Sequence, residues 1–133
     1  MARIDWAVLC DSAFLDRDER LCLIGIIRSL SVPTVPLTVH QTMMVAHLTD
    51  IEIVDEIAIS VGMVSATGRH AAWSGADTVR IDMAGEYVLV TLRSIQLLEE
   101  GPHRFQIRLR GQPVVSIEIP VVSVGRAALA DMH

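Results

Sequence analysis

Two cysteines, five histidines and two acidic loops are the residues that could do chemistry in this chain of 133. A nucleophilic thiol needs a base within hydrogen-bond reach and a lowered pKa. Cys10 instead lies inside the apolar run Trp6-Ala7-Val8-Leu9-Cys10, where burial favours the neutral thiol, and none of the five histidines sits in a catalytic motif. Cys10 therefore reads as a structural residue. Hard cations need several oxygens converging on one point. Asp16 and Asp18 fall in one acidic loop, and Asp50, Glu52, Asp55 and Glu56 in another. Asp16, Asp18, Asp50 and Asp55 are thus the candidate metal ligands, although the Asp-x-Asp-x-Asp-Gly spacing is missing and charged loop residues are ordinarily solvated. No His-x-His or Cys-x-x-Cys pair is present to hold zinc. His40 and His47 are an odd number of residues apart, so one extended strand would point them to opposite faces.

The basic residues are all arginine: 11 of them, with no lysine and no asparagine. Schiff-base chemistry and a Walker-type phosphate lysine are excluded. Arg104, Arg108 and Arg110 share one strand parity, a row that fits phosphate or an acidic partner. It fits equally well a solvated sheet face balanced by Glu118 across a hairpin. A net charge of −5 and a pI near 5.4 speak against nucleic acid as a partner. No cofactor motif is present. Trp6 and Trp73 read as packing residues, the first in the core and the second at an edge.

These side chains must be positioned by strands. Ile57, Ile59, Val61 and Met63 alternate with small or polar residues, as do Val79, Ile81 and Met83; Phe105, Ile107 and Leu109; and Val115, Ile117 and Ile119, while Val88, Val90 and Leu92 alternate with Leu89, Thr91 and Arg93. A period of two gives each segment one dry and one wet face, the pattern of antiparallel sheets. Turn residues separate the runs at 66–69, 84–86, 100–102 and 111–113, and Pro33 and Pro36 bracket a loop. The last of those turns predicts a hairpin of 103–110 with 114–119. The expected fold is all-β: a two-sheet antiparallel β-sandwich, Ig-like or C2-like, of about eight strands with little helix. The chain is expected to form one domain over 1–125 with a tail at 126–133. At 51% hydrophobic and 20% charged it is too apolar for disorder.

The front third breaks the alternation. Residues 6–10, 21–27 and 43–46 are apolar on both faces, and the charged stretch Asp16–Arg20 joins the first two as a hairpin turn would. A sandwich has one interior, so the outer face of these strands needs a second cover. An exposed apolar patch above a few hundred Å² is uncommon on a monomer. The expectation is association through this sheet, with Leu9, Ile24, Ile26 and Met44 as interface residues. The competing arrangement is cover by the chain itself, for example by a helix at 126–132. Asp5 and Asp11 interrupt the apolar stretch a signal peptide requires, and no apolar run is long enough for a membrane helix. Cytoplasmic residence, reduced thiols and no membrane partner are therefore expected.

The opening Ala7-Val8-Leu9-Cys10-Asp11, the turn 16–20 and Leu21-Cys22-Leu23-Ile24-Gly25-Ile26 resemble a family of small uncharacterised bacterial proteins, a domain of unknown function. The resemblance continues through Gly101-Pro102-His103-Arg104-Phe105, where that family tends to have Pro-Gly-x-Tyr-x-Phe, then Gly111 and Ile119-Pro120-Val121-Val122. Here the Pro-Gly order is reversed, the tyrosine is missing, and Asp18-Glu19 replaces the usual Asn-Gly of the first turn. The resemblance implies a compact β-sandwich and brings no activity, ligand or catalytic residue.

Together these features point to a non-catalytic interaction module, a homo-oligomer or a subunit of a larger bacterial assembly. A small-ligand or divalent-cation-binding sandwich working through loops 16–20 and 49–56 is the alternative.

Overall fold

The computed structural model describes residues 2–52, 58–69, 71–72 and 79–124. They form β1 (Arg3–Leu15), β2 (Leu21–Ile27), β3 (Leu30–Val32), β4 (Leu37–Thr49), β5 (Ile59–Val64), β6 (Ala71–Ala72), β7 (Val79–Ala84), β8 (Tyr87–Leu97), β9 (Gly101–Leu109) and β10 (Val115–Ser123), with no helix among the described residues. Two five-stranded sheets result, a front sheet β2-β1-β4-β8-β7 and a back sheet β3-β10-β9-β5-β6. The molecule is an open all-β sandwich. One pairing departs from the antiparallel expectation: β3 runs parallel to β10, Leu30 opposite Val121.

The alternation read from the sequence builds the interior. Leu9, Met44, Ala46, Leu48, Val88, Val90 and Leu92 of the front sheet meet Val61, Phe105, Ile107, Leu109, Ile119 and Val121 of the back sheet in one core. Each valine, leucine, isoleucine, methionine or phenylalanine among them stabilises the fold by about 1.5–3 kcal/mol when removed from water. The expected hairpin forms with Phe105 opposite Ile117 and Arg104 opposite Glu118. Arg104 and Arg108 lie exposed on the outer face of β9, while Arg110 falls in the turn beyond it.

The outer face of the front sheet carries a second, smaller core. Cys10, Ala13, Met43 and Val45 are buried there, with Trp6, Val8, Leu21, Leu23 and Leu89 packed against them. The cover comes from the chain itself. In a straight strand, Leu15 would lie about 30 Å beyond Trp6, at about 3.3 Å per residue. Yet Leu15 and Glu19 line one hollow with Ala84, Gly85, Glu86 and Tyr87, and Tyr87 pairs with His47, which pairs with Trp6. The β1–β2 hairpin therefore bends and lays its tip across the outer face. Ala13 N–H donates to the Met43 sulfur at 3.3 Å as it does so.

The bend sits where Asp11 faces Gly25, between the pairs Cys10–Ile26 and Ser12–Ile24. Gly25 has a φ of +68°, a left-handed conformation that glycine adopts without strain, and a β-carbon there would collide with the Asp11 carboxylate. Leu23 packs in the outer cluster and Ile27 in the inner one, although a regular strand would put residues four apart on one face. The glycine turns the strand over between them.

Candidate functional site

Two features of the front sheet stand out: the outward side of the folded hairpin, and a polar cluster at the end of the sheet where the hairpin tip comes to rest. On the hairpin, Phe14, Ile24 and Ile26 are 44%, 53% and 54% exposed. Phe14 pairs with Cys22 and Ser12 with Ile24, so Phe14 and Ile24 are diagonal neighbours on one side of the ladder. Ile26 lies beyond the glycine bend, opposite Cys10. β2 is the terminal strand of its sheet and presents one unpaired edge among the described residues. From Leu21 to Ile27 it carries no charge and no proline, the two residue types that usually blunt a free edge.

The polar cluster centres on His47 of β4. A register shift between Ile4 and Trp6 leaves Asp5 as an extra residue in β1, and such a bulge re-aims its side chain. The Asp5 carboxylate reaches His47 Nδ1 at 3.1 Å. From the other side, the tight turn Gly85-Glu86 between β7 and β8 is tied to β4 by Leu48 N–H donating to the Glu86 carbonyl at 2.8 Å. This brings the Glu86 carboxylate within 3.0 Å of His47 Nε2. The imidazole stacks on Trp6, centroids 5.8 Å apart and planes 21° from parallel, and meets Tyr87 at 5.1 Å. Glu86 and then Asp5 hold the His47 pKa above its ordinary value, against a smaller opposing effect of desolvation. Beside this cluster lies the open hollow of about 270 Å³ that Leu15 and Glu19 share with Glu86 and Tyr87.

The expected interface residues separate. Leu9 and Met44 are 1% and 0% exposed. They point between the sheets, because their positions on β1 and β4 have core parity; their neighbours Cys10 and Met43 face outward instead. Ile24 and Ile26 are exposed but fall on opposite sides of the glycine bend. Trp6 is half-buried on the outer face rather than in the inter-sheet core. Trp73, and the tail considered as a cover, lie outside the described residues.

The acidic residues do not converge. Asp16 Oδ1 accepts the N–H groups of Asp18 and Arg20, each at 2.9 Å, and Asp16 Oδ2 receives Arg20 Nε at 2.9 Å. The Arg20 backbone N–H first, then the Asp18 N–H and the Arg20 side chain, hold the Asp16 pKa below its ordinary value, with partial desolvation opposing. Asp18 faces Arg20 at 3.4 Å, and Asp50 is held by Arg3 at 2.6 Å. Asp16 and Asp18 thus close their turn on Arg20, and Asp50 ties the end of β4 to Arg3 of β1. No group of three histidine, cysteine or acidic residues among the described residues could hold a metal ion. Asp55 lies outside them.

Cys10 is fully buried and unpaired, and burial, then the charge of Asp11, push its thiol pKa up. His103 is buried in the interior with Nδ1 at 3.0 Å from the Gly101 carbonyl and no partner on Nε2. Neither has a catalytic neighbour among the described residues.

The model of a family of unknown function, DUF6941, matches residues 5–122. The chain belongs to this family. The DUF6941 match spans the strands of both sheets and the hairpin bend. No curated protein matches the chain. Among solved structures, a crystal structure of Dpr11 IG1 bound to DIP-gamma IG+IG2 is similar over 75% of this chain, at 10% identity and a TM-score of 0.36. The aligned part is 48% of that chain, so this DUF6941 chain spans about half the length of the structure it matches.

The sequence reasoning missed Asp5, Glu86 and Tyr87. The Ala84-Gly85-Glu86 turn was visible, but the bulge that aims Asp5 leaves no mark on the hydrophobic pattern. Gly25 did leave one: a lone glycine inside an apolar strand marks a bulge or a close backbone approach.

Proposed function

We propose that this DUF6941 domain is a non-catalytic interaction module that docks a protein strand, from a second copy or from another subunit, along the β1–β2 hairpin. The observation that carries this reading is the free edge of β2. Strand addition draws its affinity from main-chain hydrogen bonds and its specificity from alternate side chains. β2 offers an unpaired edge with no charge or proline from Leu21 to Ile27, and Ile24 and Ile26 stand more than half exposed beside it. Phe14 extends the apolar surface onto β1.

The outer-face cluster supports the same assignment from the opposite direction. Cys10 and Val45 are 0% exposed, so the middle of the front sheet has its cover, and the outward side of the hairpin lies beyond it. Sedimentation equilibrium at micromolar concentration, with co-purification from the native cell, tests the reading. The wild type is expected to self-associate or retain a partner, and Ile24→Glu/Ile26→Glu to lose that association with its circular dichroism unchanged. A monomeric wild type whose co-purifying proteins are the same as those of the double variant would contradict it.

A further inference from the structure

The Asp5–His47–Glu86 cluster is built from three separate places in the chain, and its hydrogen bonding is specific about protonation. Both imidazole nitrogens lie within 3.1 Å of a carboxylate oxygen. A neutral imidazole carries a single N–H, and its other nitrogen is an acceptor. A carboxylate accepts and does not donate. Both contacts are hydrogen bonds only when the ring is the doubly protonated imidazolium.

We infer that Asp5, His47 and Glu86 form a proton-operated clasp, closed when His47 is charged and opened on one side when it is neutral. The clasp joins three elements. Asp5 brings the start of β1, His47 lies on β4, and Glu86 brings the β7–β8 turn. The stacked Trp6 ring adds a favourable face for the cation. Among the described residues, the titratable groups placed around the histidine are Asp5 from β1, Glu86 and the Tyr87 phenol from the β7–β8 hairpin, and Glu19 from the folded β1–β2 tip, which lines the hollow beside Glu86. All are acids.

Loss of the proton to solvent leaves one carboxylate facing an imidazole lone pair and removes the positive charge between Asp5 and Glu86. It also leaves Glu86 and Glu19 as like charges across the hollow. Opening therefore loosens the seat of the hairpin tip as pH rises. The clasp itself does not depend on strand docking at β2; only its effect on a partner rests on that reading.

An NMR titration of the full chain tests the clasp, with the His47 ring signal assigned by its loss in His47→Gln. In the folded wild type, His47 is expected to titrate above the ordinary histidine value of about 6.5. The Trp6 indole signals should move with the same midpoint. Asp5→Asn and Glu86→Gln, both on exposed carboxylates, should each lower that midpoint, and the double variant should lower it further. They keep the test available if His47→Gln does not fold. A His47 midpoint at or below 6.5, or one that neither carboxylate substitution moves, would overturn the clasp. So would a Trp6 signal silent through the His47 transition. Partner docking is read separately, by sedimentation at one pH.

Discussion

On the back sheet, Arg104, Gln106 and Arg108 alternate with Phe105, Ile107 and Leu109, and the outer face is left to water. On the front sheet, Cys10, Met43 and Val45 turn away from the inter-sheet core and are as buried as the core itself. The two sheets use the same pleat for different ends. Where alternate residues are polar, one cover suffices; where both faces are apolar, this chain bends its own first hairpin over the second face. The difference teaches that an apolar outer face in a sequence announces a cover and does not say whose.

The comparison breaks most directly at Val45. A charge placed there has no partner and no route to water, so Val45→Asp is expected to destabilise the domain by about 3–5 kcal/mol. Gln106→Asp, on the outer face of the back sheet, should stay within about 0.5 kcal/mol. Urea unfolding of the two variants checks this, and equal small losses would mean that the front face is open.

The bend gives the next effect in size. Gly25→Ala forces an L side chain into φ +68° and onto the Asp11 carboxylate, with an expected loss of about 1–3 kcal/mol. Gly68 has φ +74° but nothing within 4 Å of a β-carbon, so Gly68→Ala should cost only the backbone share, about 1 kcal/mol. Asp11→Ala should recover part of the Gly25→Ala loss. Without that recovery, the contact between Asp11 and Gly25 does not set the bend.

Ile24→Glu and Ile26→Glu sharpen the comparison from outside. Both side chains are already more than half solvated, so each change should alter stability by less than about 0.5 kcal/mol while removing association. If either unfolds the domain, the hairpin's outward side is core.

The smallest effects are those of pH. The raised pKa of His47 gives a contribution that is complete below the unfolded value of about 6.5 and is lost as pH rises through the folded value. The lowered pKa of Asp16 works the other way: its contribution is present above the unfolded aspartate value and is lost as pH falls through the folded one. Melting temperatures of wild type and His47→Gln should therefore converge toward alkaline pH, and those of wild type and Asp16→Asn toward acid.

In the back sheet, β5, β9 and β10 were legible almost residue by residue, because Phe105, Ile107 and Leu109 alternate cleanly with polar neighbours and a reversed register would bury arginines, whereas the short strands β3 and β6 left no such pattern. The front strands were legible as strands and ambiguous in their faces: with apolar residues on both sides, no parity marks Leu9 and Met44 as inward and Cys10 and Met43 as outward. Gly25 was the one visible sign of the bend, and nothing in sequence spacing shows a hairpin returning over its own sheet. The His47 cluster was hidden for a related reason. Asp5 reaches it through a bulge and Glu86 from a turn nearly forty residues along the chain, and both read in isolation as solvated acids.

Spin labels at Arg17→Cys and Ala84→Cys, in a Cys22→Ala background, measure the central point: whether the tip of the first hairpin rests at the β7–β8 turn. With the hairpin folded over the front sheet, the pair should lie within about 20 Å, whereas a hairpin running straight on at about 3.3 Å per residue would put them roughly 40 Å apart. A single short distance in the monomer is expected. A long one would mean that the outer face of the front sheet is covered by something other than its own chain.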